Sequence, residues 1–227
     1  MKIVLLHALP LDERMWEPQL AALDGHELHA PKLYDLGAGT DEWALGVLQR
    51  LPGPLVAVGA SMGGYCAAGI ARLAPKRLHG IVLVGSRADA DPPERRPLRE
   101  RWIEIAREQG GEGLWEEAAK SFFPADADPE VIERAHSIAR EQDPAGLVRA
   151  IEAIRDRPDS TEAVTSGIPL LVVAGASDPL IPAEVARTLA AASPNGRVEV
   201  LEGCGHLPSL ERPDELNRIL TAFLERL

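Results

Sequence analysis

A chain of 227 residues, 45% of them hydrophobic, is long enough for one α/β domain with an insertion and too apolar for intrinsic disorder. Its formal net charge of −11 repels phosphate backbones and gives no hold on anionic lipid, which argues against nucleic acid and membranes as partners. No apolar run approaches the roughly 18 residues of a membrane span. Ile3 to Leu6 is too short for a signal peptide, and two cysteines, Cys66 and Cys204, are too few for a disulfide framework, so a cytoplasmic protein with free thiols is expected.

In chain order, the first strand candidate is Ile3-Val4-Leu5-Leu6, apolar at every position. The mixed run His26-Glu27-Leu28-His29-Ala30 follows. Its histidines stand three apart, on opposite faces of a strand, and make a poor metal pair. Helical periodicity is predicted over about 41–50, then the fully apolar run 55–58, a helix over 62–73 and a third apolar run, 81–84. The fourth apolar run is 170–173, followed by a helix over 183–192, the mixed run 198–201 and a closing helix over 213–226. Fully apolar runs signal strands covered on both faces, and mixed runs suit sheet edges. Their alternation with helices predicts an α/β fold, a doubly wound and mostly parallel sheet.

The stretch from 89 to 161 breaks this rhythm, since it contains no strand-like run. Leu98, Trp102 and Ile105 are expected on one helix face, and Leu114, Ala118 and Phe122 on another. Asp128-Pro129 and Asp143-Pro144 each read as an N-cap Asp before a first-turn Pro. Leu147, Val148, Ile151 and Ile154 form a further stripe. The predicted organisation is a core of 1–88 and 162–227 with an all-helical insertion, 89–161. Ligands in open α/β sheets bind beyond the carboxyl ends of the strands, so such an insertion is placed to act as a lid. Trp102, Leu114, Trp115, Phe122, Phe123 and Ile138 are expected to build mainly the lid's own core.

Three segments carry chemistry. Gly59-Ala60-Ser61-Met62-Gly63-Gly64 sits between an apolar strand and an Ala-rich helix, the context of a G-x-S-x-G nucleophile elbow. Its bland reading is a small-residue turn with Ser61 as a helix cap. Asp178 follows the run 170–173 within Gly175-Ala176-Ser177-Asp178-Pro179, which by itself suits an Asp–Pro turn. His206 follows the run 198–201 within Gly203-Cys204-Gly205-His206, which by itself suits a glycine turn with a surface histidine. All three lie at carboxyl ends of strands in one sheet, in the order Ser, Asp, His. Leu9 and Met62 are the expected backbone donors to an oxyanion. His7 is expected to be a satisfied buried histidine, with a place in the substrate pocket as the alternative. Arg87 reads either as a contact for a substrate carboxylate or as a solvated loop residue.

These segments resemble the α/β-hydrolase superfamily, in the branch of carboxylesterases, lactonases and C–C bond hydrolases. The matching pieces are His7-Ala8-Leu9-Pro10, the elbow, Gly175 through Pro182, and Gly205-His206-Leu207-Pro208-Ser209-Leu210-Glu211-Arg212-Pro213. The resemblance implies Ser61 as nucleophile, Asp178 as acid, His206 as base, and Leu9 and Met62 as oxyanion donors. It places Leu180 and Leu207 beside the pocket. It also implies about six strands, the family's first two being absent, with runs 26–30 and 198–201 at the edges. The expected activity is cleavage of a small carboxylic ester without metal or organic cofactor, by a monomer or homodimer. A lactone, C–C or perhydrolase reaction on the same triad is the alternative, and a non-catalytic ligand sensor the rival from another class. Ala8 stands where family members usually carry Gly, so the oxyanion loop is expected to differ there.

Overall fold

The computed structural model describes residues 1–227. Six strands form one sheet: β1 (Lys2–Leu6), β2 (Glu27–His29), β3 (Leu55–Ala60), β4 (Leu78–Val84), β5 (Leu170–Gly175) and β6 (Gly196–Leu201). Every neighbouring pair is parallel, in the order β2-β1-β3-β4-β5-β6. The two mixed runs are therefore the edge strands, as their polarity requires. The helices are α1 (Glu17–Ala22), α2 (Thr40–Arg50), α3 (Met62–Leu73), α4 (Arg96–Glu117), α5 (Pro129–Arg140), α6 (Pro144–Arg155), α7 (Thr161–Thr165), α8 (Ala183–Ala192), α9 (Pro208–Glu211) and α10 (Pro213–Leu224).

The two-residue period of the strands sorts their side chains into two cores. Val4, Leu6, Ala57, Ile81, Leu83 and Val172 join one cluster with Trp43 of α2, Ile70 of α3 and Leu189 of α8. Ile3, Leu5, Val56, Val58, Val82 and Val173 join the other with Leu216, Leu220 and Phe223 of α10. Helices thus cover both faces, which is why the central strands read as unbroken apolar runs.

The segment 89–161 is helical, and its apolar side chains divide between both clusters. Trp102, Ile103, Leu114, Leu147 and Ile151 belong to the first, whereas Trp115, Phe122, Phe123 and Ile138 belong to the second. The stripe expected on α4 is displaced by one position. Its buried face is Arg99, Trp102, Ile103 and Ala106, and Leu98 is exposed. An arginine has taken a core position that the sequence pattern assigned to a leucine. The helix kinks at Gly110 and ends at Glu117, so Ala118 and Phe122 lie beyond it rather than on one continuous face with Leu114. Both predicted Asp caps form: Asp128 accepts from the Glu130 N–H at 2.9 Å and Asp143 from the Gly146 N–H at 2.8 Å. Replacing Asp143 by Ala is expected to cost about 1 kcal/mol, seen as a lower urea midpoint at unchanged m-value. An unshifted midpoint would show that the cap contributes nothing.

Candidate active site

Ser61 is the residue on which β3 turns into α3. It has φ 46° and ψ −111°, and no other non-glycine residue has a positive φ. Such a conformation costs about 1–3 kcal/mol and persists only where its surroundings over-determine it. Here the Ser61 N–H donates to the Val84 carbonyl at 2.9 Å. Its own carbonyl accepts from the Gly64 N–H at 2.9 Å and from the Ser86 hydroxyl at 2.8 Å. A Cβ on Gly59 would be driven into the Gly63 carbonyl, and one on Gly63 into the Leu6 carbonyl, so only glycine fits either position. The chain reverses tightly enough to carry the Ser61 hydroxyl past the carboxyl ends of β1, β3 and β4.

His206 stands on the loop after β6. Its N–H donates to the Phe122 carbonyl at 2.8 Å, and the Phe122 ring meets its imidazole edge-on with centroids 5.0 Å apart. The Glu211 carboxylate clamps the loop, accepting from the Gly205 N–H at 2.7 Å and the Leu207 N–H at 2.8 Å. Burial pushes the Glu211 carboxyl upward despite these two bonds. Asp178 follows β5. Its Oδ1 accepts from the Leu180 and Ile181 N–H groups at 2.8 and 3.0 Å, which fixes the carboxylate and leaves Oδ2 for the imidazole. His206 Nδ1 donates to Oδ2 at 2.7 Å, so Nε2 is left to accept from the Ser61 hydroxyl at 2.9 Å. Gly85, with φ 53°, passes beneath this contact, and a Cβ there would come within 2.7 Å of the His206 carbonyl oxygen. Three loops separated widely in sequence thus meet in one continuous hydrogen-bonded relay.

The relay opens into a cavity of about 770 Å³, mouth included, in which Ser61 and His206 are joined by Leu9, Leu180, Trp102, Leu114, Phe122 and Ile154. That size suits a small organic molecule. No group of three or more His, Cys, Asp or Glu side chains is arranged to hold a metal ion, and no helix is long and apolar enough to cross a membrane.

Residues 3–219 match the model of the Alpha/beta hydrolase family. The chain belongs to that family. The structure of a thermophilic esterase from Thermogutta terrifontis is similar at a TM-score of 0.93 and 30% identity, covering 100% of this chain and 90% of that one. A methyl ester esterase acting on the pimeloyl acyl-carrier protein, from Yersinia enterocolitica, is 24% identical over 99% of this chain and 93% of its own length. A Pseudomonas syringae protein named for carbamate hydrolysis is 31% identical over 74% of this chain, and the match spans 66% of that relative.

The remaining sequence-derived positions of this hydrolase divide sharply. Leu9 and Leu180 line the cavity. The N–H groups of Leu9, in a loop, and Met62, at the start of α3, donate to no protein acceptor. Leu207 is buried in the core on the α10 side and does not line the cavity. Arg87 is a correction: it pairs with Asp89 and borders a different surface depression, with Thr161 and Glu184. The cations that line the cavity are Arg95 and Arg99. In the sequence Arg95 reads as an ordinary loop arginine and Arg99 as an ordinary surface position of an amphipathic helix. The role of Glu211 was likewise unassigned, and its one signal is its place five residues after His206. Cys66 and Cys204 are free and buried, and burial pushes both thiols up.

His7 is fully buried and does not line the cavity. Nδ1 donates to the Ala8 carbonyl at 3.1 Å and Nε2 accepts from the Leu33 N–H at 2.8 Å, so the neutral ring ties the loop after β1 to the segment after β2. Burial lowers its pKa from 6.5 to about 4. The folded protein therefore binds fewer protons here than the unfolded chain between those values, and stability falls as pH falls through that window. Wild type is expected to lose roughly 3 kcal/mol more than His7→Gln between pH 7 and 4. Denaturant titrations at both pH values measure this, and equal losses in the two proteins would refute it.

Proposed function

We propose that this hydrolase is a serine carboxylesterase acting on small-molecule esters, with Ser61 as nucleophile, His206 as general base and Asp178 as the group that orients the imidazole. The observation that carries the reading is the unbroken relay, 2.9 Å from the Ser61 hydroxyl to Nε2 and 2.7 Å from Nδ1 to Asp178. The esterase names of two of the relatives described above support the ester as the bond attacked.

In the first half-reaction His206 Nε2 takes the hydroxyl proton as Ser61 Oγ bonds to the acyl carbon. The charge that develops on the carbonyl oxygen is held by the N–H groups of Leu9 and Met62, both free of protein acceptors. The tetrahedral adduct collapses, the alkoxide leaves, and His206 returns the proton to it. Water then enters with His206 again as base, forms a second tetrahedral adduct at the acyl carbon and releases the acid with Ser61 restored. Asp178 does not take the proton: it stabilises the imidazolium and keeps Nδ1 as the donor. The segment 89–161 serves as a cap, supplying Trp102, Leu114, Phe122 and Ile154 to the cavity wall.

A fluorophosphonate probe is expected to label wild type and not Ser61→Ala, with p-nitrophenyl acetate turned over only by wild type. A wild type that takes no label and turns over no ester, or a Ser61→Ala protein that does both, overturns the reading. Asp178→Asn keeps the shape but leaves the imidazole in the wrong tautomer, and its kcat is expected to fall roughly ten-thousand-fold, the loss typical of such triads. A fall of under tenfold would remove Asp178 from the relay.

A further inference from the structure

We propose that the part of the cavity formed by Arg95, Arg99 and Tyr65 is a carboxylate subsite, so that the preferred substrate is an ester bearing a second, ionised carboxylate. The proposal rests on the esterase reading and adds its substrate class.

The argument begins with an imbalance of buried charge. Asp91 is the only carboxylate in its cluster, and its side chain is almost fully buried. It accepts from Arg99 through Nε at 2.9 Å and Nη2 at 3.0 Å, and from Arg157 through Nη1 at 2.7 Å. Both guanidinium groups are themselves buried. Burial alone would raise the Asp91 carboxyl, but the bonds and charges of these two arginines outweigh it and hold it below the usual carboxylate range. Two positive charges therefore face one negative charge. Arg157 also donates to the carbonyls of Asp89 and Ile154, yet its Nη2 is buried without a partner.

The excess charge is directed at the cavity. Arg157 lies 4.1 Å over the ring of Tyr65, a wall residue one turn after Ser61. Arg99 is itself in the wall, stacked on Trp102, and its Nη1 bonds no protein group. One helical turn earlier, Arg95 joins the same wall. It has no carboxylate partner and makes a single long bond, to the Leu180 carbonyl at 3.3 Å. A chain of formal charge −11 repels anions at long range, so an anionic substrate needs a local concentration of positive charge to be held. Guanidinium groups with free N–H donors in an apolar cavity provide it, since a carboxylate accepts from them in charge-assisted bonds that water screens poorly there. Arg87, the cation the sequence suggested for this task, is neutralised by Asp89 outside the cavity.

The test compares kcat/KM for charged and neutral esters of matched length. One arm sets monoethyl glutarate against diethyl glutarate, with the charge on the acyl side. The other sets the acetyl ester of 4-hydroxybutyrate against that of its methyl ester, with the charge on the alcohol side. In at least one arm the charged ester is expected to be preferred roughly ten- to hundredfold, the factor of one charge-assisted hydrogen bond. That preference should collapse in Arg95→Met and survive in Arg87→Ala, which lies outside the cavity. Glutarate should also inhibit p-nitrophenyl acetate hydrolysis competitively where neutral glutaramide does not, a measurement that needs no variant. Neutral esters turned over as well as charged ones in both arms, or a preference unmoved by Arg95→Met, overturns the subsite while leaving the esterase reading intact. Turnover of no ester at all overturns both.

Discussion

The contact between α3 and the end of β1, where Gly63 rests against the Leu6 carbonyl with no room for a Cβ, constrains everything else in the site. It forces β3 to reverse within a single residue, and Ser61 absorbs the reversal with a positive φ. A strain of about 1–3 kcal/mol is large beside the marginal stability of a domain. It is sustained because two of the three bonds that fix Ser61 come from outside the turn, from Val84 at the end of β4 and Ser86 just beyond. Those carbonyls and hydroxyls are held in place only if β1, β3 and β4 end level with one another. Parallel strands packed on both faces achieve this, and the cost is that their side chains must be apolar almost throughout.

The position of His206 depends on more distant parts of the chain. Its main-chain N–H is bonded to Phe122, a residue of the helical segment, and its ring packs on the same side chain. The segment 89–161 is therefore joined to the relay and not merely adjacent to it. Its apolar residues enter both core clusters, so it shares the stability of the sheet instead of having an independent core. This departs from the picture in which Trp102, Leu114 and Phe122 first satisfy one another. Those three line the cavity and also belong to the two packed clusters that contain the side chains of the sheet, Trp102 and Leu114 to one and Phe122 to the other.

Much of this was legible in the sequence because it rests on periodicity and local geometry. The runs 3–6, 55–58, 81–84 and 170–173 lie within central strands, and the mixed runs 26–30 and 198–201 mark the edges. The elbow glycines, and Asp128 and Asp143 before prolines, were readable because their reasons lie within a few residues. Arg99 was not, because a guanidinium at a core position is stabilised by Asp91, eight residues earlier, and no periodic pattern encodes that pairing. For the same reason Leu98 looked buried and is exposed. Arg87 and Arg95 are indistinguishable as loop arginines until the fold gives Asp89 to one and the cavity to the other.

A buried carboxylate, Asp178, and a half-buried one, Glu211, flank His206, and their contacts divide two tasks between them. Asp178 touches the imidazole through Oδ2, with Oδ1 spent on two backbone N–H groups. Glu211 makes no bond to the ring and instead satisfies the N–H groups on either side of it, at Gly205 and Leu207. Without Glu211 those donors would be unpaired beside an apolar core, at about 1–3 kcal/mol each. Two carboxylates on the same ring would have met mutual repulsion as well as desolvation, and burial already pushes the Glu211 carboxyl upward. Placing the second charge on the backbone lets the loop be rigid while the ring answers to Asp178 alone. The segment from Gly205 through Pro213 then has a physical reason: it carries the imidazole and, at the end of the short helix α9, the carboxylate that holds its loop in place.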